Sequence, residues 1–168
     1  MDAVAKTRFP WYVRLVVGSN PLFTLARTVV WAGLLIVLFK FVLLDVRVHG
    51  SSMEPTYHEG QIKFINRIAY LRHSPRRGDV VAFRLHSANA VVLKRIIALP
   101  GETLSIRSGG LIYINGKRLD EPYTKGATGF RAREYLLEPK QYWLIGDNRD
   151  ISEQYFKYEY QILGKLIF

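Results

Sequence analysis

The chain has 168 residues, 49% of them apolar and 13% aromatic, and 24 Lys and Arg against 14 Asp and Glu give it a formal charge of +10. That is about one domain of buriable surface, which excludes both a multidomain machine and a disordered chain. Without cysteine there is no disulfide framework, thiol nucleophile or thiolate metal site, and His49, His58, His73 and His86 lack metal-ligand spacing, so neither metal nor cofactor is expected.

From the N-terminus, FPWYVRLVV at 9–17 is too short to cross a bilayer, and Trp11 and Tyr12 beside Arg14 mark it as an interfacial segment. Residues 28–44, TVVWAGLLIVLFKFVLL, carry one charge, Lys40, and cover about 25 Å as a helix. Pro21, Leu22, Phe23, Leu25 and Ala26 extend the run, and Lys40 can snorkel, so a single transmembrane helix is expected over roughly 21–45. The chain continues as LLDVRVHG instead of the small residues of a cleavage site, which makes the helix a retained anchor. Lys6, Arg8, Arg14 and Arg27, opposed only by Asp2, hold the N-terminus in the cytoplasm and place the rest of the chain outside the cytoplasmic membrane. Three parts result: a basic, interfacial stretch at 1–20, the anchor at 21–45, and an extracytoplasmic domain at 46–168. Neither side of the anchor has a dense Lys/Arg run or an RNA-type aromatic motif, so the basic surface of the domain reads as a solvated face, and the lipid bilayer but not nucleic acid is an expected partner.

The third part alternates short β-rich runs with turn residues: VRVHG at 46–50, QIKFIN at 61–66, DVVAFRL at 79–85 and VVLKRIIAL at 91–99. TLSI leads through Ser108-Gly109-Gly110 to LIYI, and Asn115-Gly116 supplies a type I′ turn before KRL. QYWLIGD at 141–147 and QILGKLIF at 161–168 complete it. The fold class is mainly β, one N-terminal membrane helix followed by an all-β domain.

Three places could carry chemistry. Gly50-Ser51-Ser52-Met53-Glu54-Pro55-Thr56 is a turn that can hold a serine outward with its own N–H free, although such composition is usually a plain turn. Strand periodicity puts Val92, Lys94, Ile96 and Ala98 on one face of the fourth run and Val91, Leu93, Arg95 and Ile97 on the other. A lysine desolvated among aliphatics can become a general base, while the plainer reading is an edge strand projecting Lys94 and Arg95 to water. Gly146-Asp147-Asn148-Arg149-Asp150-Ile151-Ser152 is either an ordinary Asx-rich turn or a support in which Asp147 or Asp150 pairs Arg95 and Ser152 meets the lysine amine.

In their order and wording these boxes resemble the bacterial type I signal peptidases, membrane-anchored Ser–Lys proteases. The similarity runs through the anchor, Ser52-Met53-Glu54-Pro55-Thr56, Arg77-Gly78-Asp79-Val80-Val81, Lys94-Arg95 with Leu99-Pro100-Gly101-Glu102, and Gly146 to Ser152. The resemblance implies Ser52 as nucleophile and, through its N–H, an oxyanion donor, Lys94 as general base, Ser152 as the residue orienting the lysine, and Arg95 with Asp147 as a structural ion pair. It implies signal-peptide-bearing precursors as substrates, bound as an extended strand with small side chains in pockets around Val46, Val48, Gly50 and Leu93. Two positions depart from the pattern. Gly50 stands where some members have a second oxyanion serine, and Ser152-Glu153-Gln154-Tyr155-Phe156 replaces the common S-x-D-S-R, which removes a second acid/Arg pair. A pilin-maturing peptidase of a conjugation system is the alternative within proteases. From another class, the alternative is a membrane-tethered basic binding domain without catalysis.

Overall fold

The computed structural model of the protein describes residues 11, 21–85, 90–156 and 160–167. It divides into two units, residues 1–41 and 42–168. Within the first, helix α1 (Pro21–Val42) has apolar residues on every face, and the stretch Phe23–Val42 is long and apolar enough to cross a membrane. The helix stops at Val42 and not at 45, because Leu43 and Leu44 already belong to a strand. Apart from Trp11, the segment expected at the interface, 9–17, lies outside the described residues.

The second unit is built from eleven strands among the described residues: β1 (Leu43–Arg47), β2 (Ile62–Asn66), β3 (Val80–Leu85), β4 (Val91–Ala98), β5 (Thr103–Ile106), β6 (Ile112–Ile114), β7 (Lys117–Arg118), β8 (Ala132–Leu136), β9 (Trp143–Ile145), β10 (Gln154–Tyr155) and β11 (Tyr160–Leu166). Seven form one antiparallel sheet in the order β1-β2-β11-β3-β4-β9-β10, and β7-β6-β5-β8 form the other. Alternation is what the sequence pattern demands. On β3 and β4, Val81 and Phe83 join Val92 and Ile96 in one apolar cluster with Leu144, while Val80 and Ala82 join Leu93, Met53 and Ile65 in another. A third cluster lies around Trp143, Leu104 and Ile112 between the two sheets' strands.

The expected hairpin between β6 and β7 forms, with Asn115 and Gly116 both at positive φ (49° and 77°). The first strand begins three residues earlier than expected and ends at Arg47. Val48 stays tied by Val48 N–H to Gln61 O and Gly60 N–H to Val48 O, both 2.8 Å, before the chain turns at Gly50. A bulge on β4 between Ile96 and Ala98 breaks the strict alternation, so that Ala98 packs with Ile97 instead of following Ile96.

β4 lies between β3 and β9, and Lys94 (3% exposed) and the Arg95 side chain (12% exposed) are turned into the structure, which overturns the reading of both as edge-strand residues projecting to water. Its two halves nevertheless differ. β3 pairs it from Val91 to Arg95, whereas β9 pairs it only from Arg95 to Ala98. The outer edge of Val91–Lys94 therefore has no strand partner among the described residues.

Candidate active site

Asp147 comes two residues after β9 and is fully buried. Its carboxylate accepts Arg95 Nε (2.8 Å) and Nη2 (2.6 Å) in a bidentate pair, together with the Thr56 hydroxyl (2.5 Å). Arg95 Nη1 donates to Gly78 O at 2.9 Å, and its guanidinium lies 4.1 Å from the centre of the Tyr123 ring. One carboxylate thus links β4, the turn at 51–56 and the loop after β9, each separated from the others in sequence. Asp150, the other candidate for Arg95, instead accepts Ala127 N–H at 3.1 Å.

The turn carrying Ser52 is held from two sides. Met53, 1% exposed, roots it in the apolar cluster of β2, β3 and β11, while Asn148 N–H donates to Ser52 O (3.0 Å) and Asn148 Nδ2 to Ser51 O (3.1 Å). With Met53 pointing inward, Ser52 is left partly exposed, and its N–H has no partner among the described residues. Gly50 sits at φ +76°, a backbone state that disfavours any side chain, so a serine there could not replace it without strain.

Lys94 lies opposite Val81 in the ladder and is 3% exposed. Burial pulls its ammonium from 10.5 down to about 8, against the opposing influence of the Glu153 and Asp147 carboxylates. The amine has no hydrogen bond or ion pair among the described residues, with Ser52 or with Ser152. Ser152 Oγ instead accepts Gly146 N–H at 2.6 Å and donates to Glu153 O at 3.1 Å.

Gly146 is where the three motifs meet. Continuing the Arg95–Ile145 register by one residue sets it across from Lys94. A Cβ at Gly146 would collide with Ser52 O and stand 2.5 Å from Ser152 Oγ, so only glycine fits.

A cleft of about 460 Å³ opens on Ser52, lined by Val46, Val48, Met53, Val91 and Leu93 among others. Gly50 does not line it. Sequence reasoning also missed the buried pair of Arg149 with Glu121 (3.0 and 2.5 Å), which fixes the far side of the loop carrying Asp147. The signal was an arginine within a run of Asp and Asn, but its partner is 28 residues away, in a segment with no motif.

The chain is similar to several known proteins. The family model of signal peptidase, peptidase S26, matches residues 22–154. A probable signal peptidase I-2 of Synechocystis is 32% identical over 80% of this chain, and the match spans 64% of that relative, less than two thirds of its length. Signal peptidase IB of Staphylococcus aureus is 29% identical over 80% of this chain and 81% of its own. The crystal structure of a signal peptidase I from Enterococcus faecalis V583 shares 29% identity, with a TM-score of 0.46, over 56% of this chain and 97% of that one.

Breaking the buried pair on one side strands a charge. Asp147→Ala should lower stability by about 3–5 kcal/mol, and adding Arg95→Met should recover much of that loss. Urea unfolding of the detergent-solubilised protein, followed by tryptophan fluorescence, measures both. A loss below about 1 kcal/mol for Asp147→Ala would mean that the pair does not hold the motifs together.

Proposed function

The chain belongs to the signal peptidases of the peptidase S26 family, and on that premise we propose that it removes signal peptides from exported precursors, with Ser52 as nucleophile and Lys94 as general base. The observation that carries this reading is the burial of Lys94, without an ion-pair partner among the described residues, on a strand whose neighbour motifs hold Ser52. A lysine poised near 8 is partly neutral at neutral pH and can take the hydroxyl proton as Ser52 Oγ attacks the scissile carbonyl. The carbonyl becomes an oxyanion, and the unpartnered Ser52 N–H is the donor we assign to it; Gly50 leaves no side chain to add a second. Lys94 then returns the proton to the leaving amine, and a water activated by the same lysine releases the acyl enzyme. Entry of substrate excludes further water from the amine and brings the hydroxyl into hydrogen-bond reach.

The cleft supports an extended substrate. Val46 on β1, Val48 just after it, and Val91 and Leu93 on β4 line it. β1 is a sheet edge and the first half of β4 has an open outer edge, so a peptide strand can satisfy its backbone groups against free ladder positions. Small side chains suit the space that the valines leave. In this reading Ser152 is a positioning residue that acts through Gly146 N–H and keeps the loop against Ser52 and Lys94, while Arg95 and Asp147 provide the structural pair. In the same reading residues 1–20 are cytoplasmic, the helix Pro21–Val42 anchors the chain in the membrane, and the domain from 43 to 168 is extracytoplasmic, the orientation that the basic residues before the anchor favour.

Ser52→Ala should lose at least about a thousandfold in precursor cleavage, while Ser51→Ala stays within about threefold of wild type. Lys94→Arg should be as inactive as Lys94→Ala, since a guanidinium keeps its proton. For the wild type, the rate should fall about tenfold for each pH unit below 8 and level off above it, because only the neutral amine acts. An active Lys94→Arg enzyme, or a rate flat from about pH 5 to 9, would remove Lys94 from the mechanism.

The orientation is tested separately by adding protease to spheroplasts. The domain after the anchor should be digested without lysis, and its complete protection would reverse the topology.

A further inference from the structure

A second cleft, of about 660 Å³, begins at Ser152 and shares no lining residue with the first. Ser52, which lines the first, and Ser152, which lines the second, approach each other over Gly146, where Ser52 O and Ser152 Oγ crowd the same point. A substrate strand whose acyl part fills the Val46–Leu93 cleft must leave the reacting centre on another side. At about 3.3 Å per residue, two or three residues beyond the scissile bond extend about 7–10 Å, and Ser152, on the wall of the second cleft, lies beside Ser52 over Gly146.

Its walls have a distinct chemistry. Phe130 and Tyr155 give it aromatic surface, and Asp150 and Glu153 give it two carboxylates. Neither carboxylate is in an ion pair among the described residues: Asp150 accepts the Ala127 amide, and Glu153 accepts the Tyr155 hydroxyl at 2.5 Å. The one cation in the described wall, Arg149, is buried and already matched by Glu121. On a chain of charge +10, this is a locally acidic cavity with aromatic sides. A lysine or arginine side chain fits it, its aliphatic stem along the rings and its charged head at the carboxylates. Glu153 holds the unconstrained position of the S-x-D-S-R pattern, and Tyr155, one of the residues that depart from it, lines the same cleft.

We propose that this cleft binds the mature side of the precursor and selects a basic residue within the first three positions after the cut, with Glu153 and Asp150 as the selecting groups. The inference rests on the peptidase reading above and adds to it a specificity on the leaving-group side.

The test uses the full-length enzyme in detergent and three peptides that are identical before the cut and carry Lys, Gln or Glu at the second position after it. Wild-type kcat/KM should be about fivefold higher for Lys than for Gln, the range of a partly exposed ion pair, and lower again for Glu. Added salt should compress these ratios. Asp150→Asn with Glu153→Gln should bring all three peptides within about twofold of one another. Glu153→Lys should reverse the order in favour of the Glu peptide, a gain that misfolding cannot produce. Equal wild-type rates on the three peptides, or a lysine preference that survives the double substitution, would overturn the proposal and leave the peptidase reading intact. Failure of the wild type to cut any of them would overturn both.

Discussion

The arrangement depends on the Asp147 carboxylate. It is buried, and a buried charge is tolerable only when its partners meet it with good geometry. Here they are the two Arg95 N–H groups and the Thr56 hydroxyl. Because side chains alternate along a strand, fixing Arg95 toward Asp147 obliges Lys94 to face the other way, where Val81 is its cross-strand neighbour. A slip of one residue would put the lysine at the carboxylate and the arginine among the aliphatics. The ion pair therefore acts as a register device, and it is what leaves Lys94 desolvated.

That desolvation works against stability. An amine moved from 10.5 to about 8 has a protonated form penalised in the folded state by about 3 kcal/mol. By linkage, a folded pKa below the unfolded one makes the penalty complete below pH 8, and it disappears as pH rises through 10.5. A purely structural core would place an aliphatic residue at 94. Glu153 and Asp147 favour the charged form and oppose part of the effect. Val81, fully buried opposite Lys94, belongs to an apolar cluster with Phe83, Ile96 and Leu144, all fully buried as well.

Much of the domain is legible in its sequence because the strands are short, apolar and separated by turn residues. Asn115-Gly116 needs no tertiary help to be read as a hairpin. β8 and β10 are not legible. Ala132–Leu136 reads AREYL with three exposed residues, and Gln154–Tyr155 is a two-residue pairing whose only cause is the adjacent β9. The end of α1 is displaced because Leu43 and Leu44 suit a membrane helix as well as a strand, and pairing with β2 decides for the strand. At the site, residue types and order identify Ser52, Lys94, Arg95 and Asp147 as candidates, but not which partner each meets, since that is set by long-range pairing. Ser152 illustrates the limit. Its place beside Gly146 comes from the loop's own hydrogen bonds, and its hydroxyl meets Gly146 N–H instead of the lysine.

The proposed mechanism turns on the charge state of one amine. Titration of the Lys94 side chain by NMR in the Ser52→Ala protein, with lysine labelled at Cε and Nζ and the resonance assigned through Lys94→Arg, measures it without reference to any substrate. A midpoint near 8, well apart from the remaining lysines, is the predicted result. A midpoint near 10.5, with the rest, would contradict it: the amine would be charged and solvated, and the buried general base would be lost from the mechanism.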